Sequence, residues 1–226
     1  MSNKDNFDND KTEIIENRVS TFLSKNSKFL LYILIAAVAV LIVIGIVNIS
    51  AHRKEIKNFD ALEIAQTEFA SATSADESSE TYQQDLDKAI ADLQALENEK
   101  GYVGYKASYL LALKDFSDKN YQSALDRFVE ISEKASGTYM GSLALSNAAV
   151  CAEQLGDEDK TIEYCQQLID TYGNDAAETP KTMFTLARIY EKQGNTELAK
   201  GQFQQLADQF PNSEYGKLAK NSLLNY

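Results

Sequence analysis

Residues 180–213 combine small and large apolar side chains at a spacing typical of one repeated helix pair. The spacing places them on one face of each of two successive helices: Met183, Leu186, Ala187, Tyr190, Ala199, Phe203 and Leu206. A unit of about 34 residues cannot bury its apolar face alone, so it stacks on further copies of itself. The pattern therefore predicts an all-α fold, an α-solenoid of helix hairpins, which is an architecture that presents surfaces to partners.

The same pattern recurs upstream in a weaker form. The corresponding positions hold Leu111, Ala112, Ala124, Phe128 and Ile131 in one copy, and Ala148, Ala149, Thr161, Cys165 and Leu168 in the next. Small residues are needed where two antiparallel helices approach closely, and large residues fill the gap beside them. We therefore expect that residues 102–226 hold three repeats, at about 105–138, 142–175 and 180–213, together with a C-terminal capping helix.

An uncharged apolar segment lies near the start of the chain, from Phe29 to Ile49. At 1.5 Å of rise per residue, a helix of this length spans roughly 30 Å, the hydrocarbon thickness of a bilayer. A cleaved signal peptide is the alternative, but its apolar core usually runs for about 7 to 15 residues. We therefore expect a single transmembrane helix at residues 29–50.

Two segments flank the predicted transmembrane helix. Residues 1–28 form a short tail, and an amphipathic helix is predicted in it from Thr12 onward by the apolar residues Ile14, Ile15, Val19, Phe22 and Leu23. In residues 51–101 the helical spacing continues, which predicts a stalk helix followed by a polar loop at residues 73–80. A second helix after this loop ends near Gly101 and completes a first helix pair.

The net charge of −12 falls entirely after residue 28. The tail holds five basic and five acidic residues, so the rest of the chain holds 17 basic and 29 acidic ones. An acidic domain repels phosphate backbones and anionic lipids, which argues against nucleic-acid partners. A solvated surface is the simpler interpretation of these charges, and a site for a basic partner is the alternative.

Basic residues near the apolar segment do not by themselves decide its orientation. Three lie on each side of it: Arg18, Lys25 and Lys28 before, and Arg53, Lys54 and Lys57 after. The positive-inside rule is therefore balanced. Because a single anchor near the start of a chain commonly leads to translocation of the domain on its C-terminal side, we expect the tail inside the cell and the repeats outside.

The sequence holds no recognisable catalytic constellation. His52 is its only histidine and lies beside Arg53 and Lys54, and neither a glycine-rich phosphate loop nor a cluster with metal-ligand spacing occurs. We therefore expect no enzyme activity and no cofactor, with an enzyme kept only as a remote alternative. Cys151 and Cys165 are expected as free buried thiols, and a disulfide in an exported domain is the alternative.

The three units resemble tetratricopeptide repeats, most strongly at residues 180–213. Further features concern the whole chain: Phe22-Leu23-Ser24-Lys25-Asn26 before the apolar segment, an Ala-rich stretch at residues 60–72, and Gly104-Tyr105-Lys106-Ala107-Ser108-Tyr109-Leu110. This plan resembles the bacterial YfgM-like family, the ancillary subunit of the SecYEG translocon.

The resemblance to that family implies a single-pass protein of the bacterial inner membrane, with a cytoplasmic tail and a periplasmic repeat domain. It implies a chaperone-like, protein-binding role in secretion, with the Sec translocon and periplasmic chaperones as partners. A second resemblance, to repeat modules of envelope proteins, implies instead a scaffold that coordinates outer membrane or cell wall assembly.

Proteins with such repeats usually bind through the inner face of each first helix. Counting positions along the repeats places Lys106 on that face, together with the residues of the predicted protein-binding groove: Tyr109, Leu113, Phe116, Leu143, Asn147, Val150, Lys181, Phe184 and Arg188. A clamp for a C-terminal carboxylate is not predicted, because only Asn147 and Lys181 match one. An apolar groove suits extended or helical peptide segments. The alternative is that the neighbouring repeat or the stalk packs against these side chains.

Overall fold

The structure is a computed structural model that describes residues 18, 20–76 and 78–226. It divides into two units, one ending at Lys57 and the other comprising Asn58–Tyr226. Within the described residues the regular elements are helices: α1 (Ser27–Ser74), α2 (Tyr82–Leu96), α3 (Tyr102–Ser117), α4 (Tyr121–Lys134), α5 (Tyr139–Leu155), α6 (Glu158–Tyr172), a 3-10 turn (Gly173–Asp175), α7 (Thr179–Lys192), α8 (Thr196–Gln209) and α9 (Glu214–Leu223). The predicted all-α architecture is confirmed.

The first unit contains the apolar part of α1. The most apolar 18 residues of this helix have a mean hydropathy of 3.2, and none of them is buried. A core helix of a soluble protein would be covered by its neighbours, whereas these side chains face outward. Among the described residues, α1 is the helix long and apolar enough to cross a membrane. Most of the amphipathic helix expected in the tail lies outside the described residues.

The second unit opens with a helix pair made by residues 58–74 of α1 and by α2. The two helices and the start of α3 share one apolar core: Leu62, Ala65, Phe69, Ala72, Leu86, Ala89, Leu93, Leu96, Val103, Ala107, Leu110 and Leu111. An exposed ion pair of 2.5 Å between Lys88 Nζ and Glu68 Oε2 also joins the pair. Pairing with α2 thus covers the apolar face of α1 in this unit.

Three further helix pairs and a capping helix complete the second unit. The pairs are α3 with α4, α5 with α6, and α7 with α8, while α9 packs on α8 and α7. The small residues of the repeat pattern lie at the closest approaches and are fully buried: Ala112, Ala124, Ala148, Ala187 and Ala199. Phe128 and Phe203, each 1% exposed, fill the spaces beside them. The pattern of small and large residues in the sequence therefore corresponds to the packing.

Tight turns between helices use left-handed backbone conformations. Lys119, Gly156 and Gly194 have φ of 64°, 76° and 75°, and each lies between the two helices of one pair. Glycines with positive φ also occur in the connections between pairs. At the C-terminal end of the stack a second constraint is space. A Cβ on Gly216, near the start of α9, would lie 1.9 Å from the carbonyl oxygen of Phe210. The start of α9 can therefore approach the preceding chain only because residue 216 has no side chain.

Candidate protein-binding groove

The first helices of the three pairs each bury one face and leave the opposite face partly open. In α5, Ala144, Ala148 and Ala152 are buried, whereas Leu143 and Val150 are half-buried. The corresponding positions of α3, α5 and α7 form what we call the inner strip: Lys106, Tyr109, Leu113, Phe116, Leu143, Asn147, Val150, Lys181, Phe184 and Arg188. It contains every residue of the predicted groove.

Accessibility divides the inner strip into open and covered parts. Leu113 is 38% exposed and Arg188 is also exposed, while Leu143, Val150 and Lys181 are half-buried. These residues are reachable from solvent. The three aromatic residues of the strip have closer partners within the chain.

Tyr109 is 8% exposed and belongs to the core shared by α3, α4 and α5. Its ring meets Phe128 edge-on, with centroids 5.4 Å apart. Its hydroxyl oxygen accepts a hydrogen bond from Asn147 Nδ2 at 2.8 Å. Burial raises the pKa of the Tyr109 hydroxyl, the Asn147 hydrogen bond opposes that effect, and the charge of Glu178 adds to it. Tyr109 and Asn147 thus link the first helices of neighbouring pairs.

The other two aromatic residues are covered at opposite ends of the strip. Phe116 meets Tyr121 edge-on at a centroid distance of 5.2 Å. Phe184 lies 5.6 Å from the ring of Phe203 and 5.8 Å from that of Tyr215, a residue of α9. The capping helix α9 therefore covers part of the Phe184 ring.

Charged residues on the strip differ in whether they have partners. Arg188 Nη2 lies 2.8 Å from Glu153 Oε1, a contact between α7 and α5. The ammonium of Lys106 lies 5.6 Å from the ring centroid of Tyr109, within the range of a cation–π interaction. Among the described residues, neither Lys106 nor Lys181 has a carboxylate within 4.0 Å.

Sequence reasoning missed an aromatic row that continues the strip. Phe59 and Tyr102 stack with centroids 6.1 Å apart, and Tyr102 and Tyr139 lie 6.4 Å apart. The three rings are 42%, 40% and 63% exposed. The missed signal is a tyrosine that begins a first helix two residues before a glycine, as in Tyr102-Val103-Gly104 and Tyr139-Met140-Gly141.

The histidine and the two cysteines, the residues most able to take part in catalysis, form no catalytic arrangement in the described part of the chain. His52 is exposed, and its Nδ1 lies 3.8 Å from Glu55. Cys151 and Cys165 are buried and unbonded, and burial raises the pKa of each thiol to about 12. Groups of three or more metal-ligating side chains do not occur among these residues.

Residues 143–175 and 181–213 match the tetratricopeptide repeat family. These segments lie on the helix pairs α5–α6 and α7–α8, which are the second and third expected units, and the resemblance of these two pairs to tetratricopeptide repeats is confirmed. No curated protein sequence matches the chain. The narrower resemblance to the YfgM-like family stays a prediction.

Solved structures similar to this chain were also found. The apo form of RapI superposes with a TM-score of 0.54 at 20% identity, over 71% of this chain and 47% of RapI. This chain thus spans about half the length of RapI, and the likeness concerns the fold. Repeats from a putative kinesin light chain of Podosopora anserina align at a TM-score of 0.44 and 15% identity, over 68% of this chain and 86% of that one.

Proposed function

We propose that this chain is a membrane-anchored adaptor that binds segments of other proteins along the inner strip of its repeats. The observation that carries the proposal is the open face of α3 and α5, where Leu113 is exposed and Leu143 and Val150 are half-buried. Apolar side chains that stay uncovered in a row gain free energy when a partner removes them from water. Repeats of this type are protein-interaction scaffolds, which agrees with that interpretation.

The anchor in this proposal is residues 29–50. Its support is the apolar part of α1, which is long enough for a bilayer and has outward-facing side chains. We place it in the bacterial inner membrane, with the N-terminus in the cytoplasm and the repeats in the periplasm. The support for this orientation is the resemblance to the YfgM-like family.

The same resemblance supports a narrower role at the secretion translocon. Secreted chains emerge unfolded, and an anchored repeat domain keeps its binding surface close to their exit. In this role the domain is chaperone-like, and it brings client segments and periplasmic chaperones together without performing chemistry.

Affinity capture of the full chain in mild detergent, combined with mass spectrometry, tests the proposal. The strip variant is Leu113→Asp, which places a charge on the open face. The matched control is Leu198→Asp, because Leu198 is also exposed, at 56%, but lies on α8, a second helix of a pair. Circular dichroism confirms that both variants keep their helices.

We expect translocon subunits and periplasmic chaperones to be enriched with the wild type and the control, and lost with Leu113→Asp. Capture that is the same for Leu113→Asp as for the wild type contradicts binding at the inner strip. Enrichment of outer membrane assembly or cell wall synthesis proteins instead contradicts the translocon role and indicates the scaffold alternative.

A further inference from the structure

We propose that the inner strip selects an extended peptide segment in which large apolar or aromatic side chains lie next to a carboxylate. This inference rests on the proposed function and specifies its ligand. The recognising elements are the aromatic row of Phe59, Tyr102 and Tyr139, which holds the apolar side chains, and Lys106, which holds the carboxylate.

The aromatic row is an exposed platform, although large rings are usually buried. Its rings come from α1, α3 and α5, so the row crosses three first helices of the second unit. Rings on a surface supply a large contact area at low conformational cost, because only two side-chain torsions are fixed on binding. Aromatic residues of this kind are enriched where proteins meet.

The spacing of the row suits an extended ligand. Successive centroids are 6.1 and 6.4 Å apart. Side chains on one side of an extended peptide recur every two residues, at about 6.6 Å. An extended segment that crosses the first helices can therefore place alternate side chains against successive rings.

Lys106 adds a preference for a carboxylate beside this aromatic row. It lies one helical turn after Tyr102, and its ammonium sits 5.6 Å from the Tyr109 ring. In the described part of the chain it has no carboxylate at ion-pair distance, whereas Arg188 on the same strip is paired with Glu153. Glu178 faces the same region, but its Oε2 accepts a hydrogen bond from Ser142 at 3.0 Å. The ammonium of Lys106 thus remains available to a ligand.

The charge of the remaining domain surface limits where an acidic segment can bind. Residues 58–226 contain 14 basic and 28 acidic residues, which is a net charge of −14. Such a surface repels an acidic segment at most places. A carboxylate on a bound segment is therefore expected to lie beside Lys106, where an ammonium group is available to it.

The test uses the full chain in detergent micelles and four fluorescent peptides with a glycine–serine background. The parent peptide has two phenylalanines separated by one residue and a neighbouring glutamate. The others replace the glutamate with glutamine, replace it with lysine, or replace both phenylalanines with alanine. Fluorescence anisotropy gives each Kd for the wild type and for Lys106→Gln and Tyr139→Ala.

Two controls match the variants. Lys200→Gln removes an exposed lysine on α8, and Leu198→Ala removes an exposed apolar side chain on the same helix. Tyr139 is 63% exposed, so its removal leaves the core intact. Thermal unfolding of each variant confirms that the repeats still fold.

We expect the parent peptide to bind about 1.4-fold to fivefold more tightly than the glutamine peptide, the range of an exposed charge pair. Lys106→Gln abolishes this difference, Tyr139→Ala weakens the binding of all three phenylalanine peptides alike, and the control variants change neither result. Equal affinity for the parent and glutamine peptides overturns the inference, as does an equal effect of Lys106→Gln and Lys200→Gln.

The failure of this inference is distinguishable from failure of the proposed function. If cellular partners are captured through Leu113 but the peptides show no acidic preference, the inference alone is wrong. If capture does not depend on Leu113, the proposed function is wrong.

Discussion

Asn147 Nδ2 donates a hydrogen bond of 2.8 Å to the hydroxyl of Tyr109 and so joins α5 to α3 across the inner strip. These two residues are 38 positions apart, and each occupies the open face of the first helix of its own pair. The contact thus holds neighbouring first helices in register at the surface where a ligand is expected to bind.

Substitution Asn147→Ala should destabilise the repeats by about 1 kcal/mol, because the buried Tyr109 oxygen loses its donor. Combined with Tyr109→Phe, it should cost less than the sum of the single changes, since the two residues contact one another. Urea unfolding of the full chain in micelles, monitored by circular dichroism, measures this coupling. Additive costs contradict a direct interaction.

Substitution Gly216→Ala should destabilise the C-terminal end of the stack by about 1 to 3 kcal/mol. The new Cβ would lie 1.9 Å from the Phe210 carbonyl oxygen, so α9 must move away. The matched control is Gly201→Ala within α8, where nothing lies within 4 Å of the new atom. That control should stabilise the domain by about 0.5 to 1 kcal/mol. Equal effects in thermal unfolding would contradict the close approach at Gly216.

Cys151 and Cys165 should resist thiol reagents in the folded protein near pH 8, because burial raises the pKa of each thiol to about 12. Unfolded thiols titrate near 8.5, so labelling should become fast in denaturant. The raised pKa values also have a consequence for stability. Their contribution to the free energy of unfolding is complete below about pH 8.5, the unfolded pKa, and is lost as the pH rises toward 12. Rapid labelling without denaturant contradicts the burial of these thiols.

The proposed orientation can be tested with a cysteine at Ser78, which lies in an exposed loop between α1 and α2. In intact spheroplasts, an impermeant thiol reagent should label Ser78→Cys and leave Ser2→Cys in the tail unlabelled. The buried native cysteines should contribute little background. A permeant reagent, which reaches both positions, is the control. The reverse pattern contradicts a periplasmic repeat domain.

Much of the architecture is encoded in local sequence pattern. The positions of Ala187, Ala199 and Phe203 indicate a helix pair because a helical period places them on one face whatever surrounds them. The structure confirms that these residues are buried. The uncharged stretch of α1 is predictable for a similar reason, because its length and composition are properties of one continuous segment.

Which inner-strip residues stay open depends on partners far away in sequence. Phe184 is covered by Tyr215 of α9, whereas Leu113 remains exposed, although both are apolar residues on the same face of a first helix. Helical period alone therefore does not separate them. The contact is made by another helix, whose position depends on how the pairs stack.

The sequence by itself determined the helices, their pairing and the apolar segment, because these depend on side chains that are near one another along the chain. Only the tertiary structure decided that Phe59, Tyr102 and Tyr139 form one row and that Lys106 lacks an acidic partner among the described residues. The physical reason is that stacking brings together residues about one repeat apart, and small shifts in stacking change which side chains meet.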